Sequence, residues 1–169
     1  ESFHSKLPNF RKKYNIHNSF FLFLGRFNKI KGVDILLNAI SLIKNHSMMS
    51  NIQLVIMGVD FGFESNMFQM INKLDIGKKV TVIKNPPRDY VLSAYRESKF
   101  LVLPSRWELS PLTPLEGFAF RKPVISTNSH GIPYTVKDGV NGILVNLEDP
   151  IGLSKAILEL LSNDKKCNE

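Results

Sequence analysis

The segment Lys99-Phe100-Leu101-Val102-Leu103-Pro104-Ser105-Arg106-Trp107-Glu108-Leu109-Ser110-Pro111-Leu112-Thr113-Pro114-Leu115-Glu116-Gly117 decides how this chain is read. Its first five residues are short, apolar, and partly aromatic or β-branched, the pattern of a buried strand. A loop follows, then a short helix, with Ser110 expected as its N-cap and Pro111 at the first helical position, where a missing N–H costs nothing. Strand, loop and helix N-terminus in that order make an anion site, because free N–H groups and the positive end of the helix dipole point the same way. Two carboxylates flank it, Glu108 in the loop and Glu116 about a turn into the helix. Carboxylates are poor phosphate partners and good acceptors for sugar hydroxyls, as in the ribose-binding acid of dinucleotide folds. Such a site calls for a ligand with both a phosphate and a sugar.

Outward from this segment the same pattern repeats. SFFLFLG (residues 19–25), NIQLVIMG (51–58), KVTVI (79–83), PVIST (123–127) and GILV (142–145) read as further strands. Amphipathic helices separate them, with apolar faces formed by Val33, Leu36, Leu37, Ile40 and Ile43, by Met67, Met70, Ile71 and Leu74, and by Val91, Ala94 and Tyr95. A closing helix behind Asp149-Pro150 carries Leu153, Ile157, Leu160 and Leu161 on one face. Apolar runs joined by helical crossovers predict an α/β fold: one doubly wound Rossmann-like domain, with a parallel sheet of about six strands and helices on both sides. Ligands of such sheets sit beyond the carboxyl ends of the strands. The loops after Gly25, Gly58, Ile83, Leu103 and Thr127 open there, which places Arg26, Lys31, Glu108, Thr113 and Glu116 around one crevice. A lysine at a helix N-terminus opposes the dipole, so Lys31 calls for a compensating anion. Arg26 would add a bidentate fork to its point charge. Taken alone, the pair also reads as two surface cations on a turn.

The domain is expected over residues 19–162, with 1–18 as a linker or the tail of a preceding domain and 163–169 as a frayed tail. The chain opens at Glu1 and is read as part of something longer. Its 169 residues, 43% hydrophobic, suffice for a substantial core. The net charge of +7 favours anionic partners and leaves peripheral membrane association open. It does not carry nucleic-acid binding, since basic and aromatic residues are not interleaved. A lone Cys167 excludes a disulfide framework and fits a reducing, cytoplasmic compartment. His4, His17, His46 and His130 have no metal-ligand spacing, and no GxGxxG, GxxxxGK[ST] or Ser-His-Asp arrangement is present.

Several spaced motifs in fixed order resemble the C-terminal, donor-binding half of retaining family 4 glycosyltransferases (glycosyl transferases group 1), which have the two-Rossmann-domain GT-B fold. They are Gly25-Arg26 with Lys31, Pro104-Ser105 with Glu108 and Glu116, Lys122-Pro123-Val124-Ile125, Gly131-Ile132-Pro133, and Asp138 to Val145. The resemblance covers roughly residues 19–162. It implies transfer of a sugar from a nucleoside-diphosphate sugar to a glycan or lipid-linked acceptor. Catalytic roles fall to Arg26 and Lys31 on the diphosphate and Glu108 on the sugar. Donor-binding roles fall to Gly25, to amides near Leu112 and Thr113, to Glu116 on the ribose, and to Ile83, Asn85 and Pro86 around the base. No metal and no other cofactor is implied, and the partner is an N-terminal acceptor-binding domain. Without it the chain should bind donor and hardly transfer. The sequence departs from the pattern in Leu109-Ser110-Pro111 after the first Glu, in Gly117 after the second, in His130 before Gly131, and in Tyr134 after Ile-Pro. Two other classes stay open: half of a nucleotide-sugar epimerase, against which the Glu spacing argues, and a non-catalytic nucleotide-sugar-binding domain.

Overall fold

Six parallel strands form the centre of the molecule. A computed structural model describes residues 7–163. The strands are β1 (Ser19–Leu24), β2 (Ile52–Gly58), β3 (Val80–Lys84), β4 (Leu101–Leu103), β5 (Val124–Thr127) and β6 (Gly142–Val145), in the order β3-β2-β1-β4-β5-β6. The helices are α1 (Phe10–Tyr14), α2 (Val33–Ile43), α3 (Glu64–Lys73), α4 (Arg88–Glu97), α5 (Leu112–Ala119), α6 (Ile132–Thr135) and α7 (Pro150–Ser162).

The strands carry apolar residues at consecutive positions because both sheet faces are covered. In β1, Phe21 and Phe23 join the cluster with α2, α3 and α7, while Phe20 and Leu22 join the opposite cluster with α1 and α4. Phe21 stacks on Phe100 with ring centroids 5.0 Å apart. Each such ring, fully buried, stabilises the fold by about 1.5–3 kcal/mol. The apolar faces expected of the helices are the packed ones: Val33, Leu36, Leu37, Ile40 and Ile43 of α2 are all buried, as are Leu153, Ile157 and Leu160 of α7. Asp149 caps α7 by accepting from the Gly152 N–H at 2.7 Å.

Two local expectations need correction. Residues 1–18 are not a bare linker in their described part. Phe10–Tyr14 is a short helix capped by Asn9, with Phe10 wholly buried against Phe20 and Ile16 nearly so. Its basic residues are the outer face of an anchored segment, with Arg11 paired to Glu97 at 3.2 Å. At α5, Ser110 is not the cap. Pro111, extended at φ −72° and ψ 120°, holds the N-cap position without a side-chain bond, and the helix begins at Leu112. A residue before proline is driven out of the helical region, so Ser110 stays outside. Apart from Asn163, the expected frayed tail lies outside the described residues. Among the described residues, no helix is long and apolar enough to cross a membrane.

Candidate functional site

Strand order reverses between β1 and β4, so the loops leaving their carboxyl ends part and open a crevice. The wall on the β1 side runs from Gly25 to Gly32. Gly25 donates its N–H to Met57 O at 3.0 Å, and Phe27 is wholly buried as the anchor of the loop. Asn28 caps a 3₁₀ turn over Lys29–Lys31 by accepting from the Lys31 N–H at 3.0 Å. The turn ends at Gly32, in the left-handed region at φ 71°. A Cβ there would lie 1.9 Å from Pro104 O, so glycine alone lets this wall press against the end of β4.

The wall on the β4 side is fastened from β5. Leu103 ends its strand at Pro104. Beyond it, side-chain hydroxyls continue the attachment: Ser126 Oγ to Leu103 O at 2.6 Å, Thr127 Oγ1 to Ser105 O, and Ser129 Oγ to Arg106 O at 3.0 Å. The Gly131 N–H donates to Glu108 O at 2.8 Å, and a Cβ on Gly131 would lie 1.7 Å from Leu109 O.

With both walls fixed, Lys31 Nζ pairs with Glu108 Oε1, and these side chains are only 16% and 13% exposed. Ser105 Oγ donates to the same oxygen at 3.2 Å. Oε2 of Glu108 accepts from no described residue. Arg26 lies outside this cluster, exposed, with its guanidinium 5.1 Å from the centre of the Phe61 ring.

A second cluster forms around Glu116 in the second turn of α5. Its Oε1 accepts from Arg88 Nη2 and its Oε2 from Tyr95 Oη at 2.8 Å. Burial pushes the Glu116 carboxyl up, but the Arg88 and Tyr95 hydrogen bonds outweigh it and hold the pKa below the ordinary range. Burial, and then the bond to Glu116, push the Tyr95 phenol far above its usual value, so it stays a donor. Asn85, Pro86 and Pro87 precede Arg88, so the loop after β3 lies against this cluster; Asn85 is exposed at φ 47° and donates its N–H to Gly58 O at 2.8 Å. Ile83 differs from its neighbours: its side chain is buried in the core, and only its backbone belongs to the crevice edge. Leu112 is exposed and Thr113 half-buried, giving the start of α5 two N–H donors, while Pro114 supplies none.

Arg88 and Tyr95 are residues of this site that sequence reasoning missed. Arg88 had a usable signal. It follows two prolines at a helix N-terminus, where a cation opposes the dipole just as Lys31 does. A cavity of about 690 Å³ lies elsewhere, at the amino ends of β5 and β6 between Phe118, Asp138 and Glu159.

A profile of the family "Glycosyl transferases group 1" matches residues 8–169. The chain belongs to this family. An uncharacterized glycosyltransferase of Methanocaldococcus jannaschii is 34% identical over 154 residues, which cover 87% of this chain and 39% of that protein. A D-inositol 3-phosphate glycosyltransferase of Acidothermus cellulolyticus is 34% identical over 146 residues, 83% of this chain and 33% of that one. Among solved structures, sucrose-phosphate synthase of Thermosynechococcus elongatus superposes with a TM-score of 0.82 at 24% identity, over 94% of this chain and 40% of that one. HepE of Anabaena, solved with UDP and glucose, does so at 0.80 and 20% identity, over 94% of this chain and 43% of that one. This glycosyltransferase-family chain therefore spans less than half the length of these relatives, and its fold is that of a Rossmann-like domain of GT-B enzymes.

Proposed function

We propose that the chain is the donor-binding domain of a retaining glycosyltransferase, one that moves a sugar from a nucleoside-diphosphate sugar to a glycan or lipid-linked acceptor. The observation that carries this reading is the Lys31–Glu108 pair, at the point where strand order reverses and beside the start of α5. A cation, a carboxylate with one oxygen left over and two helix N–H groups are the complements of a diphosphate joined to a sugar.

In this reading Lys31 shares its three N–H donors between Glu108 and the diphosphate, and Arg26 swings from Phe61 to the same phosphates. Negative charge grows on the departing nucleoside diphosphate, so cations already in place stabilise the transition state more than the bound donor. The amides of Leu112 and Thr113 act in the same sense, and neutralisation proceeds without a metal. Glu108 turns Oε2 to the transferred sugar. Glu116 accepts from the ribose, and the base lies against Asn85, Pro86 and the backbone at Gly25 and Ile83. The acceptor comes from an N-terminal domain of a longer cytoplasmic protein, so the chain by itself binds donor and transfers hardly at all. That HepE, which superposes on this chain, was solved with UDP and glucose supports the reading.

Calorimetric titration with UDP, GDP and ADP, and with their sugar conjugates, tests this. At least one nucleoside diphosphate is expected to bind with modest affinity, since half of a closed cleft is absent from the chain. No binding of any of them at millimolar ligand overturns the reading.

A further inference from the structure

We propose that Arg106 is a positioning residue that clamps the turn carrying Lys31 to the wall carrying Glu108, and so sets where a diphosphate meets the Lys31 ammonium. The inference rests on the donor-site reading above and adds a residue to it.

An arginine in a crevice loop beside a phosphate site would ordinarily be taken as a phosphate ligand. Arg106 cannot act so. A guanidinium has five N–H donors, and here each has an acceptor. Nη1 donates to Asp34 Oδ1 at 2.8 Å and to Lys29 O, Nη2 to Asp34 Oδ2 at 2.8 Å and to Glu148 Oε2 at 2.9 Å, and Nε to Glu148 Oε1. The backbone joins in: the Arg106 N–H donates to Ile30 O at 2.7 Å, and Arg106 O accepts from Ser129. Lys29 and Ile30 immediately precede Lys31, and Asp34 lies in the first turn of α2 just beyond it, so the contacts bracket Lys31 on both sides. Two carboxylates more than balance the Arg106 charge, leaving little positive potential to attract a phosphate.

The far partner, Glu148, sits in the left-handed region at φ 55°, which non-glycine residues seldom adopt. Lysine could not replace the clamp, because a point charge cannot bridge two carboxylates and a carbonyl in fixed directions.

The test is a double-mutant cycle on this chain. Dissociation constants are measured by calorimetry for the pairs uridine and UDP, guanosine and GDP, and adenosine and ADP, on the parent, Arg106→Ala, Arg106→Lys, Lys31→Ala and Arg106→Ala/Lys31→Ala. Thermal unfolding of each is recorded alongside. The quantity read is the diphosphate-over-nucleoside affinity ratio in the pair that binds. Arg106→Ala and Arg106→Lys are each expected to lower that ratio about tenfold, as groups in one hydrogen-bond network do, and to lower it no further once Lys31 is alanine. Where Arg106→Ala does not fold, Asp34→Asn, which opens the same clamp at similar shape, takes its place in the cycle. A clamp that only stabilises the fold would lower the unfolding temperature and leave the ratio unmoved. If Lys31→Ala cuts the ratio while the Arg106 variants do not, Arg106 has no positioning role and the donor-site reading stands. If Lys31→Ala leaves the ratio intact, or no pair binds, the donor-site reading fails and this inference falls with it.

Discussion

Glu108 and Glu116 stand about a helical turn or two apart in sequence, yet their surroundings differ in kind. Glu108 is enclosed, with both wall contacts, from Lys31 and Ser105, on one oxygen, while the second oxygen accepts from none of the described residues. Glu116 is one-third exposed with both oxygens engaged, one by the mostly exposed Arg88 and the other by the buried Tyr95. The difference lies in what each wall is made of. Glu108 stands between two loops that glycines allow into contact, so its pair is mostly screened from solvent. Glu116 pairs with the mostly exposed Arg88 at the start of α4, so its pair is open to water and exchangeable. A carboxylate of the first kind is preorganised, and one of the second kind must share or trade a partner to take a ligand.

The largest expected effect separates the two by stability. Glu108→Ala leaves the Lys31 ammonium without its partner in a poorly hydrated site, and should destabilise the chain by about 3 kcal/mol. Glu116→Ala should cost less, about 1 kcal/mol, since Arg88 turns out into water and the loss falls on the Tyr95 hydroxyl that donated to the carboxylate. Urea unfolding of both variants checks this, and equal losses would erase the distinction.

Next comes ligand discrimination. Glu116→Ala should weaken nucleosides, nucleoside diphosphates and donor sugars alike, by about 1.5–3 kcal/mol, the range for hydrogen bonds to a charged acceptor. Glu108→Ala should leave nucleoside diphosphate affinity nearly unchanged and remove only the increment due to the sugar. If Glu116→Ala binds every ligand like the parent, its cluster is structural.

The smallest effect is a titration. Because the folded pKa of Glu116 lies below its ordinary value, its ionised form contributes stability that is fully present above the unfolded-state pKa and is lost as pH falls through the folded one. Solvent screening keeps this contribution small. Arg88→Ala removes the stronger of the two opposing hydrogen bonds, so burial should then gain and the carboxyl should titrate at higher pH. Carboxyl carbon NMR of Glu116 in parent and variant measures the direction, and a downward move would reject the account.

Much of this was legible in the residues. SFFLFLG and NIQLVIMG could only be strands buried on both faces, and the i, i+3, i+4 spacing of Val33 to Ile43 could only be a covered helix face. Lys31 was legible because a cation at a helix start needs an explanation. Arg88 carried the same signal behind Pro86-Pro87. What was not legible depends on distance in sequence. Arg106 and Asp34 are 72 residues apart, and no spacing rule joins them. Phe10 fell within the segment read as a linker or tail because its burial against Phe20 is tertiary. Ile83 was assigned by its place at a strand end, whereas its side chain points into the core.

The hydroxyls of Ser126, Thr127 and Ser129 have a consequence for how such a site can change over generations. They hold the loop after β4 by its carbonyls, without using the side chains of Trp107 or Leu109, which stay exposed. Frame and contents are therefore encoded in separate residues. Substitutions at Trp107 or Leu109 can explore new chemistry at the rim while the loop keeps its course, whereas a valine at Thr127 would disturb the course without offering any new chemistry. A fold divided in this way can acquire new specificities one surface residue at a time.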